Sequence, residues 1–347
     1  FFYVFNNFFC IHNSLQSYEI IIFVNMKLIY PFFFLLILSC SSNIQNSKNV
    51  KIYRFENELF SAHNENISEK RALWEKEIGQ FSDAYYSFIN GKNSFVSIDD
   101  ELLAFINNSD MKEVYDSIHI KFKNMHVFEN ELSESFNNLE KFFPEFKHPK
   151  IISMFSGFNY GVIVQDSILA IGLDFYLGRE SIFYKRLNDP DYLRFQKQSK
   201  FLVPNVMEAW YDSFFNHYNN KIDFLSELIY KGKIMYLLEK TNPRIDFARL
   251  LRYSEKDLVW CQKSEASIWA FLIENDILFS TRYKDFRTYL NHAPFSKGMS
   301  NNSPSRIAYF VGYNIVKNYV KNNKVTLREL MNNQDSKSIL KKSKYKP

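Results

Sequence analysis

IISMFSGFNYGVIVQDSILAIGLDFYLG, residues 151–178, is the stretch whose reading decides the fold. It is the one segment rich in β-branched and aromatic residues around turn glycines (Gly157, Gly161 and Gly172), and it predicts strands over 151–156, 161–165 and 168–174. Everything beyond it reads as helix. Val203, Val206, Met207, Trp210, Tyr211, Phe214 and Tyr218 form an apolar stripe, and Asn205, Glu208, Asp212 and Asn216 fall on the opposite side, which such patterning assigns to solvent. Further helical periodicity covers 222–241, 254–275 and 304–321, the last opened by Ser303 as N-cap with Pro304 at the first helical position. Upstream, Val50 to Glu56 alternates as a strand, Leu73, Ile78, Phe81, Tyr85 and Phe88 fall close to one stripe of a helical region, and more helix follows over 111–123 and 129–143. No period of 20 to 50 residues recurs, so a solenoid is not expected. The expected fold class is α+β, predominantly α-helical with a small β-sheet, in one globular domain over 50–335.

Composition narrows the chemistry. With only 9 glycines in 347 residues, no two make G-x-G, G-x-x-x-x-G-K or G-x-S-x-G, so dinucleotide fingerprints, P-loops and nucleophile elbows are absent. The net charge of +5 is mild, and five lysines crowd the stretch 336–347, which reads as a basic, disordered tail. No nucleic-acid-binding motif accompanies them, and no nucleic-acid partner is expected.

The first methionine is Met26, and residues 1–25 read as upstream sequence translated from a start placed too early. From Met26 the chain has a basic start at Lys27, an apolar run from Leu28 to Leu38, and a small residue before Cys40, the layout of a secretory signal. A helix needs about 20 apolar residues to span a bilayer, so this run is an h-region and not an anchor helix. Ile37-Leu38-Ser39-Cys40 resembles the bacterial lipobox, which implies a signal peptide over 26–39, lipidation of Cys40 and a polar tether over 40–49. Membrane attachment would then run through the lipid on Cys40, since several acyl chains hold where one binds marginally. Of Cys10, Cys40 and Cys261, only Cys261 would remain as a free thiol, so the fold must be held by its core without a disulfide.

Chemistry-bearing clusters are scarce. His63, His119, His126, His148, His217 and His292 are each solitary, and C-x-x-C does not occur, so no metal-ligand set is legible. Cys261 fits a helical stripe as a small core residue. The pair Glu208 and Asp212 has no acid/base meaning from spacing alone. No catalytic residue, metal site or cofactor is expected.

The segments FPEFKHPKIISMFS, LAIGLDFYLG, FLVPNVMEAWYDSFF, LSELIYKGKIMYLLE, IWAFLIENDILFST and LNHAPFSKGMSNNSPSRIAYFVGYNIVKNYV, in this order behind a lipobox, resemble the gliding-motility lipoprotein GldB family over roughly 50–332. The resemblance implies a lipid-anchored, non-catalytic component or assembly factor of the gliding machinery, held at the outer membrane facing the periplasm, with other envelope proteins as partners. The family is also distantly similar to predicted zinc proteases that carry H-E-x-x-H on one helix and a glutamate ligand on a following one. The matching positions are Met207, Glu208, Tyr211 and Lys231, and of these only Glu208 retains the protease residue. That comparison implies a degenerate zincin-like fold without its zinc ligands. The alternatives are a hydrolase derived from a zinc peptidase, or a lipid- or glycan-binding envelope module.

Overall fold

A computed structural model describes residues 48–89, 96–215 and 223–347. Cys40, the signal peptide, most of the tether, His217 and Tyr218 lie outside the described residues. The chain opens with strand β1 (Ile52–Arg54) and the helices α1 (Phe55–Phe60), α2 (Ile67–Ile78), α3 (Phe81–Ile89), α4 (Ile98–Asn107), α5 (Ser109–Lys121) and α6 (His126–Phe142). Next come β2 (Lys150–Met154), β3 (Val162–Gln165) and β4 (Ile168–Gly172), followed by α7 (Ile182–Arg186), α8 (Asp191–Gln196), α9 (Leu202–Phe215) and α10 (Phe224–Thr241). The remainder is α11 (Phe247–Leu251), α12 (Glu255–Lys263), α13 (Glu265–Glu274), α14 (Tyr283–Leu290), α15 (Ile307–Asn323), α16 (Leu327–Asn332) and α17 (Ser336–Ser343). The fold is α+β, mostly helical around one small sheet.

The sheet runs β1-β2-β4-β3, with β1, β2 and β4 parallel and β3 antiparallel on the edge. Both faces of its centre are covered, as parallel strands require. Ile151, Leu169 and Ile171 enter the large core with Leu132, Phe136, Val206 and Trp210. Ile152, Met154 and Ala170, one residue out of phase, enter a smaller core with Phe55, Trp74 and Tyr85. The strand predictions for 151–174 hold to within a few residues.

Several expected helices start or stop elsewhere. The helical region read through Leu73 to Phe88 divides at Gly79, whose φ of +53° with ψ of −138° is a combination that only glycine adopts cheaply, and the pattern read over 254–275 divides at Ser264. The helix expected to open at Ser303-Pro304 begins at Ile307. Ser303 instead accepts a hydrogen bond from the Ser296 amide (3.1 Å), and the Ser296 hydroxyl donates to the Pro304 carbonyl (2.7 Å), which fixes the loop before α15.

The stretch 336–347 is not a disordered tail. Asp335 caps α17 by accepting from the Ser338 amide at 2.8 Å, and Lys341 and Lys342 lie in its last turn, where the helix dipole favours cations. Ile339 is fully buried, and the buried Tyr345 sets its ring edge-on to Trp269 and donates to Glu265 at 2.8 Å. Two well-placed apolar residues outweigh the charge of the lysines.

Helices α10 and α15 cross in backbone contact at Gly232 and Gly312. A Cβ on Gly232 would lie 2.2 Å from the Gly312 carbonyl, and one on Gly312 would lie 2.0 Å from the Leu228 oxygen. No side chain fits there, so backbone touches backbone. Lys231 adjoins one of these glycines, and Tyr309 stands about one turn before the other. The crossing brings both side chains toward α9.

Candidate functional site

Glu208 lies on α9, on the side that patterning assigned to solvent, yet its side chain is only 13% exposed. The polar stripe of α9 faces a cleft closed by α10, α15 and the turn after α11. The Tyr309 hydroxyl donates to Glu208 Oε1 at 3.0 Å, Lys231 Nζ reaches the same oxygen at 3.4 Å, and Arg252 Nη2 pairs with Oε2 at 2.7 Å. Arg306 stands further back, 3.5 Å from Oε2. Lys231 also donates to Asp212 at 3.0 Å, and Asp212 accepts from the Tyr230 hydroxyl at 2.6 Å.

Burial alone would raise the Glu208 pKa, but Arg252, Lys231, Arg306 and the Tyr309 hydroxyl outweigh it and hold the carboxyl far below the usual range. Burial lowers the Lys231 pKa, and the charges around it more than reverse that, keeping the ammonium protonated.

Arg252 is locked. It is 1% exposed, and its guanidinium donates to the Asn205 side chain (3.0 Å) and to the carbonyls of Leu250 (2.6 Å) and Pro204 (2.5 Å). Both arginines have left-handed backbones, with φ of +58° at Arg252 and +60° at Arg306. Such residues carry strain of about 1–3 kcal/mol each, and that strain gathers at working sites.

A second buried carboxylate lies nearby in the chain. Asp174, on the 3-10 turn after β4, accepts from the Ser156 amide (2.7 Å), the Ser156 hydroxyl (2.9 Å) and the Phe158 amide. Burial pushes its pKa up to about 6 against those three neutral donors.

Two cavities of about 390 and 580 Å³ adjoin the Glu208 cluster, and Gln196, His292 and Arg306 line both.

The zinc of the distantly similar proteases does not fit the residues present. Met207 and Tyr211 are fully buried in the core, where the Tyr211 hydroxyl bonds Thr241, and Lys231 presents a cation beside Glu208. Among the described residues no group of histidines, cysteines and carboxylates could hold a metal ion. Cys261 is buried and free, with burial pushing its thiol pKa up to about 12.

Of the four positions taken from the sequence comparison, the structure brings Glu208 and Lys231 together and sends Met207 and Tyr211 elsewhere. Arg252, Arg306 and Tyr309 were missed. The signal for the last two was their place in the segment 290–320, whereas Arg252 gave none.

The fold and site define a helical α+β domain built around a buried ion cluster beside an open cleft. A family model described as gliding motility protein GldB matches residues 39–347, and the chain belongs to that family. No curated protein and no solved structure matches it. Among the described residues no helix is long and apolar enough to cross a membrane.

Proposed function

We propose that the chain is a lipid-anchored, non-catalytic component or assembly factor of the gliding machinery, acting in the cell envelope through contacts with other envelope proteins. Family membership supports the link to gliding. The observation that carries the non-catalytic reading is the state of Glu208: its oxygens are engaged by Arg252, Lys231 and Tyr309, so the carboxylate serves as a counter-ion. A carboxyl held this far below neutrality is a poor general base, since efficient proton transfer needs a pKa near the operating pH. The lipobox-like sequence at Ile37–Cys40 supports the anchor.

Cells carrying Cys40→Ala as their only copy are expected to release the protein from membranes and to lose spreading. Unchanged membrane retention overturns the anchor, and normal spreading with released protein shows that anchoring is dispensable. Metal analysis of the purified protein tests the other half of the reading: one tightly held zinc per chain overturns it.

A further inference from the structure

Arg306 is the one cation of the Glu208 cluster whose charge the cluster leaves incompletely matched. Three cations, the buried Arg252 and Arg306 and the partly buried Lys231, face two carboxylates (Glu208 and Asp212), which leaves one positive charge in excess. The shortfall falls on Arg306. Glu208 Oε2 is taken by Arg252 at 2.7 Å, and at 3.5 Å Arg306 lies at the limit of hydrogen bonding to it. Its guanidinium is stacked over the Tyr309 ring, 3.7 Å from the centroid, and beyond Glu208 and Tyr309 no side-chain hydrogen bond among the described residues ties its fork to another carboxylate or to a carbonyl. A guanidinium has five N–H donors, and only 6% of this residue is exposed. The plate is rigid, nearly buried and placed on the wall common to both cavities.

We propose that this cleft binds a molecule carrying a carboxylate beside an apolar body, with the carboxylate seated on Arg306. One excess charge matches a monoanion, and a planar fork matches the two oxygens of a carboxylate. The larger cavity supplies the apolar wall from Phe175, Leu193 and Leu290. The chemistry is shared by the C-terminal residue of a peptide and by a free aliphatic acid. This goes beyond the motility role and stands on the cleft alone, so its failure leaves the Cys40→Ala outcome and the family membership untouched.

The test titrates purified full-length protein with acetyl-Ala-Phe as free acid, with the same dipeptide as its C-terminal amide, and with decanoate, followed by calorimetry. One of the acids is expected to bind with Kd below about 1 mM, and the amide at least about tenfold more weakly, a comparison that needs no variant. Tighter binding of the dipeptide assigns the site to peptide C-termini, and tighter binding of decanoate assigns it to free acids. Arg306→Gln is expected to weaken the bound acid at least about tenfold, with Arg306→Lys in between. Equal binding of acid and amide, full affinity in folded Arg306→Gln, or binding of neither acid overturns the proposal.

Discussion

Asp174 and Glu208 are both carboxylates withdrawn from water, and the protein treats them in opposite ways. Asp174 receives two backbone amides and a hydroxyl, all neutral, and its pKa is pushed up to about 6. Glu208 meets two arginines and a lysine, and its pKa is driven far down. Burial acts in the same direction on each, so the partners decide the charge state. Neutral donors make a site that tolerates either form of the carboxyl. Cationic partners make one that works only ionised, and they leave a surplus of charge facing the cleft.

The largest expected effect comes from removing the charge on Glu208. Glu208→Gln leaves Arg252 as an uncompensated buried cation and is expected to cost about 3–5 kcal/mol, read from urea unfolding at neutral pH. A loss smaller than that of the Asp174 variant would break the contrast.

Asp174→Asn keeps one acceptor and turns an amide toward a donor, so the expected cost is smaller, about 1–3 kcal/mol. It should also change the pH profile. Between the unfolded value of 3.8 and the folded value of about 6, the native Asp174 binds a proton that the unfolded chain does not. Its contribution to stability therefore falls as pH rises through that window. Glu208 behaves the other way: its contribution is present above the ordinary glutamate range and is lost only in strong acid. Unfolding midpoints between pH 4 and 6 should separate wild type from Asp174→Asn by the disappearance of the downward component.

Lys233 sharpens the comparison from the basic side and has the smallest effect. It is 2% exposed, donates to the Asn333 carbonyl, and burial pulls its pKa down to about 8. Above that value the folded protein has shed a proton that the unfolded chain keeps until about 10.5, so stability contributed here rises over that range. Lys233→Met is expected to change stability at pH 7 by no more than about 1 kcal/mol, because the lost hydrogen bond and the lost cost of charge burial offset each other. The rise above pH 8 should vanish. Its persistence in the variant would assign the slope to another group.

The sheet was legible because strands of this kind declare themselves locally, through β-branched residues and turn signals within 151–178. The ordered C-terminal helix was not, since five lysines mask two residues, Ile339 and Tyr345, whose burial depends on partners far upstream. The site was half legible. Glu208 and Lys231 emerged from a family likeness, but the polar face of α9 was assigned to solvent because periodicity shows that a face is polar without showing what it meets. Tyr309 is 101 residues from Glu208 in sequence, and the arginines reach it from separate loops with left-handed backbones. Nothing within one helix records such a meeting.

The helix at 336–343 and the tyrosine beyond it also set the order in which the protein can be completed. The grooves that take Ile339 and Tyr345 are formed by elements made much earlier, and they stay open until these two residues have emerged. Native packing of these grooves is therefore deferred until Tyr345 has been delivered, long after the helices that line them.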